Sequence, residues 1–144
     1  MELKGTRKFT APPQAVWAAL HNGPLLQSCI PAAEQVTWDG ESAVHLRLHA
    51  SIGPFSGGGT ISGQVTENTQ PSHMKVVFSR QGPNSSATGT ITMDLAPDGT
   101  GTLLTYNGNA SLGGKVAVLD NPLTRPIVEK QLNHVLTRLD SQIS

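Results

Sequence analysis

The spacing of apolar residues changes along the chain, and this change constrains the fold more than any other feature of the sequence. From Val36 onward apolar and polar residues alternate, which is typical of β-strands with one buried face. From Lys115 to Ile143 apolar residues recur mostly every three or four positions, which predicts an amphipathic helix. Pro122 and Pro126 predict a kink or a break in the first half of that helix. The sequence therefore predicts a series of strands followed by one long C-terminal helix.

The part of the chain before Val36 predicts one strand and two short helices. The segment ELKGTRKF alternates, and one side of this strand would carry Leu3, Gly5, Arg7 and Phe9. The segments PQAVWAALH and PLLQSCIP each begin with proline, which suits a first helical turn. We therefore expect two short helices directly after the first strand.

Turn-forming residues divide the alternating region into short segments. Asp39-Gly40 is a strong hairpin signal, and Pro, Gly or Asn separates the later segments. This pattern predicts a meander of antiparallel strands. A long helix can cover one apolar face of such a sheet, which gives an α+β domain with room for a cavity between sheet and helix. The 144 residues are expected to form a single domain, 1–144.

Composition excludes several classes of partner. Ten basic and ten acidic residues cancel, so neither nucleic acid nor an anionic membrane surface is expected as a partner. No segment reaches the roughly 20 apolar residues that a transmembrane helix needs, and the N-terminus does not resemble a secretory signal. The single cysteine, Cys29, fits a reducing compartment. We therefore expect a cytoplasmic protein without a transmembrane segment.

The stretch SAVHLRLHASIGPFSGGGTISG contains two histidines, one arginine and a run of three glycines. On an extended strand His45 and His49 would lie about 13 Å apart, too far to share a metal ion. The alternation predicts that both histidines and Arg47 face outward. The glycine run matches neither phosphate-binding motif, so we expect it to form a turn between two strands.

The other ionisable residues do not form a recognisable catalytic set. His21 and His73 fall near turns and His134 falls in the C-terminal helix, and we expect all three at the surface. The carboxylates are spread singly, so no pair indicates general acid and base catalysis. The sequence predicts no catalytic residue, no metal site and no cofactor.

Three stretches in the sequence are distinctive: APPQAVWAALHNGPLLQSCIP, IGPFSGGGTISGQV and GTLLTYNGNASLGGKVAVL. In this order, and over most of the chain, they resemble the carbon monoxide dehydrogenase G-subunit family, within the SRPBCC or START-like helix-grip superfamily. The resemblance implies a helix-grip fold, in which a seven-stranded curved antiparallel sheet wraps around the long C-terminal helix. It also implies that a cavity binds a small hydrophobic ligand such as a quinone, a fatty acid or an isoprenoid-like molecule. For this family it further implies association with a molybdenum hydroxylase complex and its link to the quinone pool or the membrane.

If such a cavity exists, bulky apolar side chains are expected to form its wall. We predict ligand-binding positions at Trp17, Leu20, Phe55, Val76, Phe78, Ile91, Met93, Tyr106, Leu119 and Leu123. The turn from Pro54 to Gly59 is expected to form an entrance. The Tyr106 hydroxyl or Asn107 would orient the ligand, and apolar burial would supply the affinity.

Two other functions remain open at this stage. One is an enzyme similar to the polyketide cyclases and dehydratases of the superfamily, which would need an acid or base such as His73 or Glu67 in the cavity wall. The other is a docking or assembly protein with a vestigial cavity. The absence of His, Asp and Lys from the predicted wall favours a binding protein over an enzyme. The sequence leaves the oligomeric state open, with a homodimer as one alternative.

Overall fold

The computed structural model of the chain describes residues 2–30, 33–52, 55–82, 85–114, 123 and 125–143, and the side chains of all of these except 48–52, 55–58, 81, 82, 85 and 114. The described residues form seven strands and three helices. The strands are β1 Glu2–Phe9, β2 Ala33–Asp39, β3 Ala43–Ile52, β4 Phe55–Thr69, β5 His73–Gly82, β6 Ser85–Asp98 and β7 Gly101–Gly114, and the helices are α1 Pro13–Leu20, α2 Gly23–Cys29 and α3 Arg125–Ile143.

The seven strands form one antiparallel sheet in the order β1-β7-β6-β5-β4-β3-β2. Strands β2 to β7 follow one another as hairpins, and β1 pairs with β7 at one edge. The hairpin predicted at Asp39-Gly40 is confirmed, because Asp39 ends β2 and Ala43 begins β3. Gly40 has a φ of 58° and Gly99, between β6 and β7, a φ of 63°. Both turns therefore use a left-handed conformation that glycine adopts without steric cost.

The run GPFSGGGTISG, which was predicted to form a turn between two strands, connects β3, which ends at Ile52, to β4, which begins at Phe55, but its three consecutive glycines are not part of the turn. Gly57, Gly58 and Gly59 lie inside β4, where they pair with residues 50, 49 and 48 of β3. Backbone pairing does not require a side chain, so glycine can continue the ladder. In a strand, glycine often marks a place where another group approaches the backbone closely.

Local sequence accounts for where the helices begin. Pro13 lies in the first turn of α1, where a missing N–H costs no hydrogen bond. The side chain of Asn22 caps α2 by accepting a hydrogen bond from the backbone N–H of Leu25 at 3.1 Å. Helix α3 begins at Arg125, so Pro126 lies in its first turn and does not interrupt it. The rest of the predicted helix, residues 115–122 and 124, lies outside the described residues.

The hydrophobic core lies between the helices and the half of the sheet that contains the ends of β1 and β6 and the start of β7. Helix α3 contacts α1, α2 and β1, and its Leu139 is fully buried. Two polar contacts fix this packing, because Arg7 of β1 donates to Thr137 Oγ1 at 2.6 Å and the Thr10 N–H donates to Asp140 at 3.1 Å. The C-terminal half of α3 is therefore held against the β1 edge of the sheet.

Candidate functional site

The strand register defines the concave face of the sheet, which is the face that the helices partly cover. Met93 of β6 lies between Met74 of β5 and Tyr106 of β7. Ile91 of β6 lies opposite Val76 of β5 in the same way. Directly paired residues share a face, so these apolar side chains form one continuous surface across the central strands.

The predicted wall residues separate into three groups in the structure. Four are buried in the core: Trp17 (3% exposed), Leu20 (8%), Val76 (2%) and Tyr106 (6%). Three pack against that core but remain partly exposed: Phe78, Ile91 and Met93. Leu123 does not join either group, because it precedes the first turn of α3 and is 85% exposed. The side chain of Phe55 and the whole of Leu119 lie outside the described residues, as does Pro54 of the expected entrance.

We call Phe78, Ile91 and Met93 the floor. They belong to β5 and β6, the fourth and third strands from the β1 edge of the sheet. Side chains at the centre of a packed sheet face are normally buried against the covering layer. The partial exposure of the floor therefore shows that the covering helices leave part of the concave face accessible.

Glycines allow large side chains to lie flat on this face. A Cβ atom built at Gly63 would lie 2.8 Å from the ring of Phe78, and one built at Gly5 would lie 2.5 Å from the hydroxyl of Tyr106. Real Cβ atoms do not approach other atoms so closely, so only glycine fits at either position.

One polar face of α3 borders a groove of about 530 Å³. The described residues that line it are Lys130, Gln131, Asn133, His134 and Thr137; we call them the polar stripe. Four of them recur every three or four residues and so share one side of the helix. Thr137 contacts Arg7, whose position alternates with those of Gly5 and Phe9 on the concave side of β1. The stripe thus reaches the β1 edge of the sheet at Thr137, while the opposite side of α3, with Leu136 and Leu139, faces the core.

Two arginines lie on the concave face, and the sequence patterns had not indicated Arg80 at all. Arg80 follows Val76 and Phe78 at alternate positions of β5, and its guanidinium would lie 2.6 Å from a Cβ atom at Gly59. Arg7 donates to the polar stripe, as described above. Among the described side chains of the sheet, no carboxylate shares this face.

The outer face of the sheet carries a histidine between two carboxylates. His73 Nδ1 lies 2.6 Å from Asp94 Oδ1, and His73 Nε2 lies 2.8 Å from Glu67 Oε1. The hydrogen bonds from the ring to Asp94 and then to Glu67 raise the pKa of His73 above its ordinary value of 6.5. His73 lies beside Met74, which faces the core, so His73 and Glu67 do not line the groove. A cyclase-like or dehydratase-like enzyme was expected to need an acid or base such as His73 or Glu67 in the cavity wall. Neither of these two residues lies there.

The predicted outward direction of His45 and Arg47 is confirmed. His45 is exposed and lies 3.0 Å from Ser62 Oγ, and exposed Arg47 pairs with Glu34 at 3.2 Å. The side chain of His49 lies outside the described ones.

Asn107 is exposed next to buried Tyr106 and pairs with Lys4 and Thr92. The hypothesis that Asn107 orients a ligand in the cavity was therefore wrong, since alternate residues of a strand face opposite sides.

His21 is not a surface residue, contrary to the sequence prediction. Its side chain is only 9% exposed, and its ring lies 4.9 Å from that of Trp17 and 4.5 Å from that of Trp38. Its Nδ1–H donates to the Trp17 carbonyl oxygen at 2.8 Å. The Trp17 indole N–H donates to Glu41 Oε1 at 2.9 Å. These contacts join α1 to the β2–β3 hairpin, which proximity in sequence could not indicate.

Comparison with known families extends these observations. The family model for the carbon monoxide dehydrogenase G-subunit (CoxG) matches residues 5–144. The chain belongs to the CoxG family. The resemblance inferred from the three distinctive stretches is therefore confirmed. The sequence matches no curated protein at a significant level.

Solved structures show the same fold for this CoxG-family chain. A conserved protein from Geobacillus kaustophilus has a TM-score of 0.88 at 22% identity, over 99% of this chain and 95% of its own. A protein from Chromobacterium violaceum has a TM-score of 0.76 at 15% identity, over 99% and 96% of the two chains. A START superfamily protein from Mycobacterium smegmatis has a TM-score of 0.72 at 13% identity, over 99% and 96%. The predicted START-like helix-grip fold is therefore confirmed.

Two further features of the described residues bear on the site of this CoxG-family chain. No helix in the described ranges is both long enough and apolar enough to span a membrane. No group of three or more His, Cys, Asp or Glu side chains in those ranges is arranged to hold a metal ion. The apolar floor of the concave face is thus the candidate site, and the groove beside the polar stripe is a separate feature of the α3 surface, because no described sheet residue lines it.

Proposed function

We propose that the protein binds a small hydrophobic or lipid-like molecule, such as a quinone, a fatty acid or an isoprenoid-like compound, on the floor of the concave face. The observation that carries this proposal is the partial exposure of Phe78, Ile91 and Met93 at the centre of a sheet face that the helices partly cover. Small-molecule sites are lined mainly by apolar and aromatic side chains of this kind.

The chemistry of the floor supports binding more than catalysis. Apolar contact with Phe78, Ile91 and Met93 would supply affinity at about 25 cal/mol per Å² of buried apolar surface. Trp17, Leu20, Val76 and Tyr106 would support the floor from the core, and Tyr106 would do so whether or not its hydroxyl contacts the ligand.

Membership of the CoxG family supports a second part of the proposal, which concerns the partner. We propose that the protein is accessory to a molybdenum-containing dehydrogenase of the carbon monoxide dehydrogenase type and contributes to its link with the quinone pool. In this role it would act in the cytoplasm as a single domain, and a homodimer is compatible with it. Capture of a molybdenum hydroxylase by the tagged protein from its own host would support this part of the proposal.

Native mass spectrometry of the purified protein, followed by solvent extraction, tests the ligand proposal. We expect one bound hydrophobic molecule per chain, or a mass increase on incubation with a panel of quinones, fatty acids and isoprenoids. A mass without ligand that persists after incubation with the whole panel would contradict it.

A pair of matched variants tests the location of the ligand. Met93→Trp should cover the floor with a larger side chain and abolish binding. Thr92→Trp, at the neighbouring position on the outer face, should leave binding unchanged. Circular dichroism and thermal unfolding would establish that both variants are folded. Equal binding by the two folded variants would place the ligand elsewhere.

A further inference from the structure

His21 lies between two hydrogen-bond acceptors. The Trp17 carbonyl is one of the last four of α1 and can only accept a hydrogen bond, so His21 Nδ1, 2.8 Å away, carries a proton. His21 Nε2 lies 3.6 Å from Glu41 Oε1. The same carboxylate oxygen accepts the Trp17 indole N–H at 2.9 Å. Glu41, in the turn between β2 and β3, is therefore shared by two side chains at the end of α1.

A neutral His21 leaves one ring nitrogen without a partner. The neutral ring has a single N–H, which is on Nδ1, so its Nε2 atom carries only a lone pair. This atom is buried without a hydrogen-bond partner among the described residues, and the Glu41 oxygen that faces it is also an acceptor. A second proton would turn Nε2 into a donor opposite a carboxylate, and this pairing would satisfy both groups.

The Glu41 carboxylate is close enough to reach a protonated ring. Charge-assisted N–H···O bonds are about 2.7–2.9 Å long, so Glu41 Oε1 needs to move by only about 0.7–0.9 Å from its present 3.6 Å. The side chain of Glu41 is 43% exposed, so the core does not fix its position. Because Trp17 donates to the same oxygen, such a movement would also change the hydrogen bond of the indole.

Glu41 is the one charged residue that the described part of the chain pairs with His21. Helices α1 and α2 consist entirely of uncharged residues. On β2, Asp39 leaves the strand on the face opposite to Trp38. The rings of Trp17 and Trp38, with centroids at 4.9 and 4.5 Å from that of His21, complete the surroundings. Indole faces at such distances attract a cation.

We propose that His21 is a proton-dependent switch in the link between α1 and the β2–β3 hairpin. With His21 neutral, Glu41 accepts a hydrogen bond from Trp17 alone. When the ring takes up one proton from water, its Nε2–H donates to Glu41 as well, and the proton returns to water when the pH rises. This inference goes beyond the proposed function and does not depend on it.

The switch would act at the border of the concave face. Trp38 begins a row of directly paired residues that crosses this face through Val44 and Gly63 to Phe78 of the floor. Helix α1 contacts β6 and β7 at the other side of the sheet. The link at His21 therefore joins the β2 end of this row to a helix that covers part of the same face.

NMR spectroscopy tests the switch, because the chain has only two tryptophans and hence two indole N–H signals. Trp38→Phe would assign them, and long-range ¹H–¹⁵N correlation identifies which ring nitrogens of His21 are protonated. Imidazoles in proteins change charge mostly between about pH 8 and pH 5. Over this range, His21 should change from protonation at Nδ1 alone to protonation at both nitrogens. The Trp17 indole signal should shift with the same midpoint.

Three variants show whether Glu41 transmits the change. His21→Gln should leave the Trp17 indole signal independent of pH over this range. Glu41→Gln alters an exposed side chain and should retain the His21 titration while losing the larger part of the Trp17 shift. His73→Gln removes a histidine of the outer face that also titrates and should leave both responses unchanged. Circular dichroism would establish that each variant is folded.

Two results would overturn the proposal. One is a single protonation state of the His21 ring over the whole pH range. The other is a Trp17 shift of equal size in the wild type and Glu41→Gln, because Glu41 would then have no part in the response. None of these measurements uses a ligand, so either result would leave the proposed binding function untouched.

Discussion

The hydroxyl of Tyr106 occupies the space that a side chain at Gly5 would need. A Cβ atom at Gly5 would lie 2.5 Å from Tyr106 Oη, and the two residues are direct partners of β1 and β7. Tyr106 is 6% exposed and belongs to the core. The absence of a side chain on β1 therefore determines how a core aromatic of β7 lies on the concave face.

Gly5→Ala should destabilise the protein, because the added methyl group must displace the Tyr106 ring. Overpacking of this kind costs about 1–3 kcal/mol, measurable by urea unfolding. Gly108→Ala is the matched control, since a Cβ atom at that buried glycine would meet its neighbours at 3.6 Å or more. We expect Gly108→Ala to be at least as stable as the wild type within about 0.5 kcal/mol. Equal destabilisation by both changes would show that the Tyr106 contact is not the cause.

The raised pKa of His73 predicts a pH-dependent contribution to stability. In the unfolded chain its pKa is about 6.5, and the hydrogen bonds to Asp94 and Glu67 raise it in the folded state. The bridge therefore stabilises the fold fully below the unfolded-state pKa, and its contribution is lost as the pH rises through the folded-state pKa. The stability difference between wild type and His73→Gln should therefore shrink as the pH is raised from about 6 through the folded-state pKa of His73.

Asp94→Asn provides the control for this effect. It removes the larger of the causes that raise the pKa of His73, so an NMR titration should show that pKa moving back towards its ordinary value. Glu67→Gln should have the smaller effect of the two. A stability difference between wild type and His73→Gln that does not vary with pH would contradict the assignment.

Two leucines of the C-terminal region should differ in their contribution to stability. Leu139 is fully buried between α3 and the core, whereas Leu123 is 85% exposed. Leu139→Ala should lower the free energy of unfolding by about 2–5 kcal/mol through lost contacts and a residual cavity. Leu123→Ala should change it by less than about 0.5 kcal/mol. Chemical denaturation measures both, and a large loss in Leu123→Ala would mean that this residue packs against the fold in solution.

A buried hydrogen bond joins β7 to the segment after β1. Thr102 is fully buried, and its hydroxyl donates to the Ala11 carbonyl oxygen at 2.7 Å. Thr102→Val keeps the shape but leaves that carbonyl without this donor, which should cost about 1–3 kcal/mol. Thr102→Ser keeps the donor and loses only a methyl group, so thermal unfolding should show a smaller loss. If Ser is the more destabilising substitution, packing of the methyl group outweighs the hydrogen bond.

Local patterns predicted most of the secondary structure, but part of the candidate site was missed. Arg80 could have been found by extending the alternation of Met74, Val76 and Phe78 by one more step. The side chains of the polar stripe appear in the sequence as an ordinary solvated helix face. Only the contact between Thr137 and Arg7, which are 130 residues apart, shows that this helix face reaches the β1 edge of the sheet.

The sequence by itself determined the order of the strands and helices, the hairpin at Asp39-Gly40 and the outward direction of His45 and Arg47, because these follow from periods of two and about 3.6 and from turn chemistry. Only the tertiary structure decided that His21 is buried between two tryptophans, that the glycine run continues β4 and that Leu123 is exposed. Each of these outcomes depends on which distant side chain occupies the neighbouring space, and periodicity describes only the direction in which a side chain leaves its own element.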